Sequence, residues 1–192
     1  IAIDVAVQGK AAHAGMEPEK GINAIQAAAR AIAALTLGRL DSETTANVGI
    51  IAGGMIRNGV PDTCTFAAEC RSLTHDRALA VADEMVSVIR REVEGAGAQA
   101  AIEVNNLCKA SRIEPDAWTV RVSQEALSEI GIAAAPALMC GFTDASIYNN
   151  EGIEMAVVGI GARQEHSLDE HIHVEDMERA VAMLVRILRL SA

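Results

Sequence analysis

The first nine residues alternate, with Ile1, Ile3, Val5 and Val7 apolar and Gly9-Lys10 ending the run. A period of two puts those side chains on one face of a strand. From Gly21 to about Leu37 the spacing turns helical, with Ile22, Ile25, Ala29, Ile32 and Leu35 in step, Pro18 near a plausible first turn and Gly38 as a stop. Thr44 to Ile51 is β-branched and runs into Gly53-Gly54. After Asn58-Gly59, the stretch from Thr63 to Leu73 alternates Cys64, Phe66, Ala68 and Cys70 against polar neighbours. Together these two runs read as a hairpin with a long, glycine-rich loop. Thr74 suits an N-cap and Asp76 a first turn, and Leu79, Ala82, Met85, Val86, Ile89 and Val93 form an apolar stripe that stops at Gly95 and Gly97. Ala100 to Leu107 reads as one more strand. The order βαββαβ predicts an α+β ferredoxin-like sandwich, with two helices on one face of a four-stranded antiparallel sheet.

Lys109 to Glu114 has no apolar period and meets Pro115, so a boundary is expected there, between a domain of residues 1–110 and a segment of residues 111–192. The rhythm then changes. A helix is predicted from Asp116 to Ile130, a short apolar segment from Ala133 to Met139, a helix from Asp144 to about Asn149, a buried strand from Met155 to Val158 and a last helix from Val174 to Leu190. Short apolar strands between helices predict an α/β layer with a parallel sheet. Two or three strands are too few to stand alone, so the remaining strands are expected from elsewhere.

Composition narrows the class. Of 192 residues 51% are hydrophobic, yet only one Trp, one Tyr and two Phe are present, so the core must be built from Ala, Val, Ile, Leu and Met. A net charge of −10 with no run of Lys or Arg argues against nucleic-acid binding. Arg30, Arg90, Arg91, Arg186 and Arg189 interrupt every helical candidate for a membrane span. Cys64, Cys70, Cys108 and Cys140 form no C-x-x-C pair, which argues against a zinc knuckle or a disulfide framework and reads as buried thiols in a reducing, cytoplasmic compartment. The sequence opens on Ile1 inside an alternating run, without the charged region or cleavage site of a signal peptide, and reads as starting within a longer protein.

The stretch Gly9-Lys10-Ala11-Ala12-His13-Ala14-Gly15, followed by Pro18, Gly21, Asn23, Ala24 and Ile25, resembles the start of the lid, or dimerisation, domain of the M20 metallopeptidases. Thr45-Ala46-Asn47-Val48-Gly49, Gly53-Gly54, Asn58, Pro61-Asp62 and Glu69-Cys70-Arg71-Ser72 follow in that lid's order. Gly141-Phe142-Thr143-Asp144-Ala145, Gly159-Ile160-Gly161 and His166 with Glu170 are similar to the family's C-terminal catalytic segment. Within the family the text is most similar to the peptidase T and tripeptidase branch. The resemblance implies a hydrolase with two zinc ions, acting on the N-terminus of short peptides as a homodimer joined through the lid. Relatives with the same lid cleave acyl groups from amino acids, so an amidase or deacylase stays open, as does a non-catalytic dimerisation module for this chain alone. Complete enzymes place an H-x-D pair, a further Asp and a Glu-Glu pair ahead of the lid. No such set occurs here, and hydrolysis needs ligands on both ions and a base within reach of the bound water, so this chain alone is expected to be silent.

The resemblance assigns His13 to the oxyanion, often across the dimer, and Asn47 and Arg71 to substrate, with the Arg on its terminal carboxylate. A planar, always charged fork suits that task. The residues alone also allow a surface histidine, a turn residue and a solvated strand-end charge. Gly141, Thr143 and Asp144 form a turn before a helix whose N–H groups suit a substrate carbonyl or anion, or plain capping. The resemblance makes His166 a ligand of one zinc and Glu170 a supporting carboxylate. His171 and His173, two apart on a possible strand, share a face and form a separate metal hypothesis. His75 reads as a helix-terminus residue, and Gly159-x-Gly161 as a loop too short for a nucleotide fingerprint.

Overall fold

β1 (Ala2–Gln8) takes up the first alternating run, with Ile3, Val5 and Val7 buried and Asp4, Ala6 and Gln8 exposed. The structure is a computed structural model describing residues 1–134 and 136–192, and it divides into two units, residues 1–110 and 111–192. In the first unit β1 is followed by β2 (Ala12–His13), a 3₁₀ turn (Pro18–Lys20) and α1 (Ala24–Ala34). β3 (Gly38–Arg39), β4 (Thr44–Gly53), β5 (Gly59–Val60), β6 (Thr63–Ser72), α2 (His75–Gly95) and β7 (Gln99–Asn105) complete it. The main sheet has the order β3-β4-β6-β1-β7, every neighbouring pair antiparallel. Its four long strands with α1 and α2 make the ferredoxin-like arrangement that the βαββαβ order predicts.

The register explains the core. Val5 lies opposite Phe66, Ile3 opposite Ala68 and Val7 opposite Cys64, so the inward positions of neighbouring strands form continuous apolar rows. Ala24, Ala27, Ala28 and Ala31 of α1 and Val81, Ala82, Met85, Ile89 and Val93 of α2 close over that face. Alanines let α1 lie close to the sheet without aromatic filling. Each fully buried Ile or Val contributes about 1.5–3 kcal/mol relative to exposure. Pro18 lies in the separate 3₁₀ turn, and the start of α1 is set instead by Asn23, whose Oδ1 accepts the Gln26 N–H at 2.9 Å. A bulge at Gly49 shifts the β4–β6 register between Val48 and Ile50. His75 opens α2, as its sequence position suggests.

The second unit departs further from expectation. α3 (Trp118–Glu129), α4 (Asp144–Asn150) and α5 (Val174–Leu190) lie where helices are predicted, and Val122, Ala126 and Met183 are buried in the unit. Glu129 and Arg186 link α3 to α5 at 3.4 Å. The predicted buried strand at residues 155–158 does not form, and Met155 and Val157 are exposed. A strand needs a neighbouring backbone, and here the Asn149 amide takes that place: Met155 N–H donates to Asn149 Oδ1 at 2.8 Å, and Asn149 Nδ2 donates to the Met155 carbonyl at 3.0 Å. Ala135, within the predicted segment Ala133–Met139, lies outside the described residues, and the others of that segment form no strand. Among the described residues of the unit the β pairing is the isolated bridge Arg163–His171. The parallel sheet expected of this segment is therefore not formed within it. Among the described residues, no helix is long and apolar enough to cross a membrane.

Candidate functional site

The residues singled out by sequence fall in three places. His13 ends β2, which pairs with β5 in a two-stranded sheet, His13 opposite Gly59. This small sheet was not legible in the sequence. It holds down the loop after β1, because Ala14 N–H donates to the Asn58 carbonyl at 3.0 Å and Gly21 lies so near Val60 that a Cβ there would meet its side chain at 2.9 Å. The exposed imidazole receives two backbone donors at Nδ1, from Gly15 N–H at 3.2 Å and Met16 N–H at 3.1 Å.

Asn47 and Arg71 sit together on the face of the main sheet away from the helices. Thr45 lies opposite Arg71 and Asn47 opposite Glu69, so the two are diagonal neighbours across β4 and β6. Glu69 is the partner that sequence reasoning passed over. Arg71 donates from Nε to Glu69 Oε1 and from Nη2 to Glu69 Oε2, both at 2.9 Å, a bidentate fork on a carboxylate. The available signal was the spacing of two opposite charges two positions apart on a strand, which puts them on one face. Both side chains are about two-fifths exposed, at 41% and 42%, so the pair itself adds little stability. The same sheet face carries a shallow depression of about 420 Å³ lined by Asp4, Ile50, Thr65 and Glu103 among others, and no sequence-predicted site residue lines it.

His13 and Arg71 are not brought together within the first unit. From Thr45, opposite Arg71, β4 runs to Gly53 and only then enters the loop that holds β5. That run is roughly 25 Å at about 3.3 Å per residue.

In the second unit, Thr143 is the N-cap position of α4 without a side-chain capping bond, Asp144 is its first residue and Gly141 precedes it. Gly141 lies close enough to Met139 that a Cβ would meet its Cε at 2.4 Å. His166 stands in a loop closed by the Arg163–His171 bridge, whose two backbone bonds measure 2.9 and 3.2 Å. Two residues of the loop adopt the left-handed conformation, Gln164 with φ +56° and His166 with φ +64°. Left-handed φ is uncommon outside glycine and persists where surroundings impose it. Here the His166 backbone N–H donates to Glu170 Oε2 at 3.1 Å, while Arg163 donates to Asp176 Oδ2 at 2.9 Å and ties the loop to the first turn of α5.

His171 and His173 do not share a strand face. His171 is in the bridge and its Nδ1 lies 2.7 Å from the Asp169 carbonyl, whereas His173 is the N-cap of α5, and their rings meet edge to face with centroids 5.3 Å apart. Among the described residues no group of three or more His, Cys, Asp or Glu could hold a metal ion. The exposed His166 imidazole, which makes no hydrogen bond among the described residues, fits one ligand of a metal centre, and the donors among the described residues do not make up a whole one.

Cys64 and Cys70 are buried as expected, but Cys108 and Cys140 are partly exposed. Burial pushes the Cys64 and Cys70 thiols up from their ordinary value.

A family model described as the M20 peptidase dimerisation domain matches residues 1–96. The chain is 32% identical over 190 residues to the uncharacterized protein YqjE of Bacillus subtilis, covering 99% of this chain and 51% of that protein. It is 31% identical to acetylornithine deacetylase of Myxococcus xanthus, over 95% of this chain and 50% of the other. The crystal structure of aminopeptidase PepT from Bacillus cereus is similar at a TM-score of 0.79 and 34% identity, covering 97% of this chain and 50% of that one. The chain thus spans about half the length of the curated relatives it matches.

Proposed function

We propose, for a chain that belongs to the M20 peptidases through its dimerisation domain, that the complete protein is a metal-dependent hydrolase removing the N-terminal residue of short peptides, tripeptides among them. Residues 1–110 supply its lid and homodimer surface, and residues 111–192 the C-terminal segment of its catalytic domain. The likeness of nearly the whole chain to the aminopeptidase PepT structure carries this reading. Its setting is the cytoplasm, a reading supported by the free thiols of Cys64, Cys70 and Cys108.

The geometry supports a division of labour. Arg71 offers its fork to the substrate's terminal carboxylate in exchange with Glu69, and Asn47 beside it orients the peptide by its amide. N–H groups at Gly141, Thr143 and Asp144 receive a peptide carbonyl at the start of α4. His166 is one ligand, and other protein segments complete the centre. When bound, the two metal ions, expected to be zinc, supply a water of lowered pKa and polarise the scissile carbonyl. His13 donates from Nε2 to the oxygen that gains negative charge. A tripeptide spans at most about 10 Å. One bound to Arg71 therefore falls short of His13 on the same lid, which supports the delivery of His13 by the partner of a homodimer.

The complete protein, loaded with zinc, is expected to hydrolyse tripeptides in preference to N-acyl amino acids. In His13→Gln the amide nitrogen stands near the lost Nε2 and should retain part of the rate. His13→Asn keeps an acceptor for Gly15 and Met16 but loses the outward donor, and kcat should fall about 10²–10³-fold. Equal loss in both variants would remove the donor role. The similarity to acetylornithine deacetylase along 95% of the chain favours a second reading, deacylation of N-acyl amino acids, and activity confined to those substrates would select it.

A further inference from the structure

His13 is held by a turn that does not depend on its ring. Its main chain pairs with Gly59, its carbonyl accepts the Glu17 N–H at 3.1 Å, and Ala14 N–H donates to Asn58. These bonds place the Gly15 and Met16 N–H groups, which donate to Nδ1 at 3.2 and 3.1 Å. A backbone N–H only donates, so Nδ1 must present its lone pair, and the proton of the neutral ring sits on Nε2.

We infer that the turn formed by residues 13–17 is a positioning device that locks His13 in the Nε2–H tautomer and so makes it a one-way hydrogen-bond donor to whatever meets the lid. The inference concerns the ring's tautomer and deepens the proposed role of His13, on which its use in hydrolysis rests. Nδ1, occupied twice, serves neither as a base nor as a metal ligand. The exposed Nε2–H makes no hydrogen bond among the described residues and is left for an acceptor such as a carbonyl oxygen turning into an oxyanion. The positioning groups are two main-chain amides, so the side chain at either position is secondary. A Cβ on Gly15 would approach the ring at 3.6 Å, an ordinary contact, so Gly15→Ala keeps both the N–H and the ring position.

The test is a long-range ¹⁵N–¹H correlation spectrum of the histidine-labelled chain at pH 8, with His13→Asn identifying the His13 signals. The expected result is a single tautomer, protonated at Nε2 and bare at Nδ1, unchanged in Gly15→Ala and redistributed when Gly15→Pro and Met16→Pro together remove both donors. A proton on Nδ1 in the unaltered chain, or an even mixture, would overturn the inference whether or not the proline variant folds. So would an unchanged tautomer in a folded proline variant. Full activity of His13→Asn in the complete protein, beside the expected spectrum, would sustain the lock and sink the catalytic use of His13.

Discussion

Single residues carry the chemistry through partners that a linear pattern does not announce. Arg71 is legible as a candidate carboxylate clamp, but its holder Glu69 emerges only from the two-residue spacing on β6. His166 shows the same limit more sharply, since nothing in its side chain predicts a left-handed backbone, and the cause is a carboxylate four positions on. Residues that fix the orientation of a metal ligand tune affinity by about 10–100-fold. With His166 as the proposed ligand, Glu170→Ala in the complete protein should therefore lower metal affinity by that factor. Glu170→Gln should restore most of it, because its amide oxygen still accepts the His166 N–H. Metal content after dialysis against graded chelator reads both, and full retention in the alanine variant would show that the loop holds His166 without Glu170.

Elements with several turns or repeats were readable, and elements made by a single pairing were not. α5 spans the predicted residues 174–190, because its apolar residues recur over four turns between a polar start and a charged end. β2, β3 and β5 have two residues each, too few for any period, and they exist because loops meet across space. α3 shows the same dependence on distant partners. Its N-cap Ala117 has no side-chain acceptor, and Glu154, thirty-five positions away, accepts both Thr119 N–H and Oγ1–H at 2.9 Å. The Thr119 backbone N–H, first among the causes, holds the Glu154 carboxyl below its usual value. A group whose folded pKa is depressed stabilises the fold above its unfolded pKa and loses that contribution as pH falls through the folded one. Helicity of α3 should therefore weaken below the ordinary carboxylate range. In Glu154→Gln that acid step should vanish, as followed by amide exchange of residues 118–129 from pH 7 to pH 3. An acid step of the same size in the variant would assign it to other carboxyls.

At the scale of the molecule, the first unit closes its own core, whereas the second leaves apolar surface uncovered. Val174, Met177, Val181, Leu184 and Leu188 line α5 at helical spacing and remain 50–72% exposed. This stripe and the unformed strand at residues 155–158 have one physical cause, the want of a sheet among the described residues of the second unit itself. Sequence periodicity reported the burial such residues are suited to, not the layer that provides it. In the proposed architecture the rest of the catalytic domain supplies that layer, and the lid, joined to its twin, carries His13 to the partner's substrate. The most direct test mixes the complete protein's His13→Asn and His166→Ala variants, each expected to be nearly inactive as its own homodimer, under conditions that exchange subunits. A heterodimer then holds one intact site, with His166 from one protomer and His13 from the other. Tripeptide hydrolysis should return to about a quarter of the unaltered level, half the dimers being mixed and half their sites whole. A mixture no more active than its two components, with subunit exchange verified, would contradict the account.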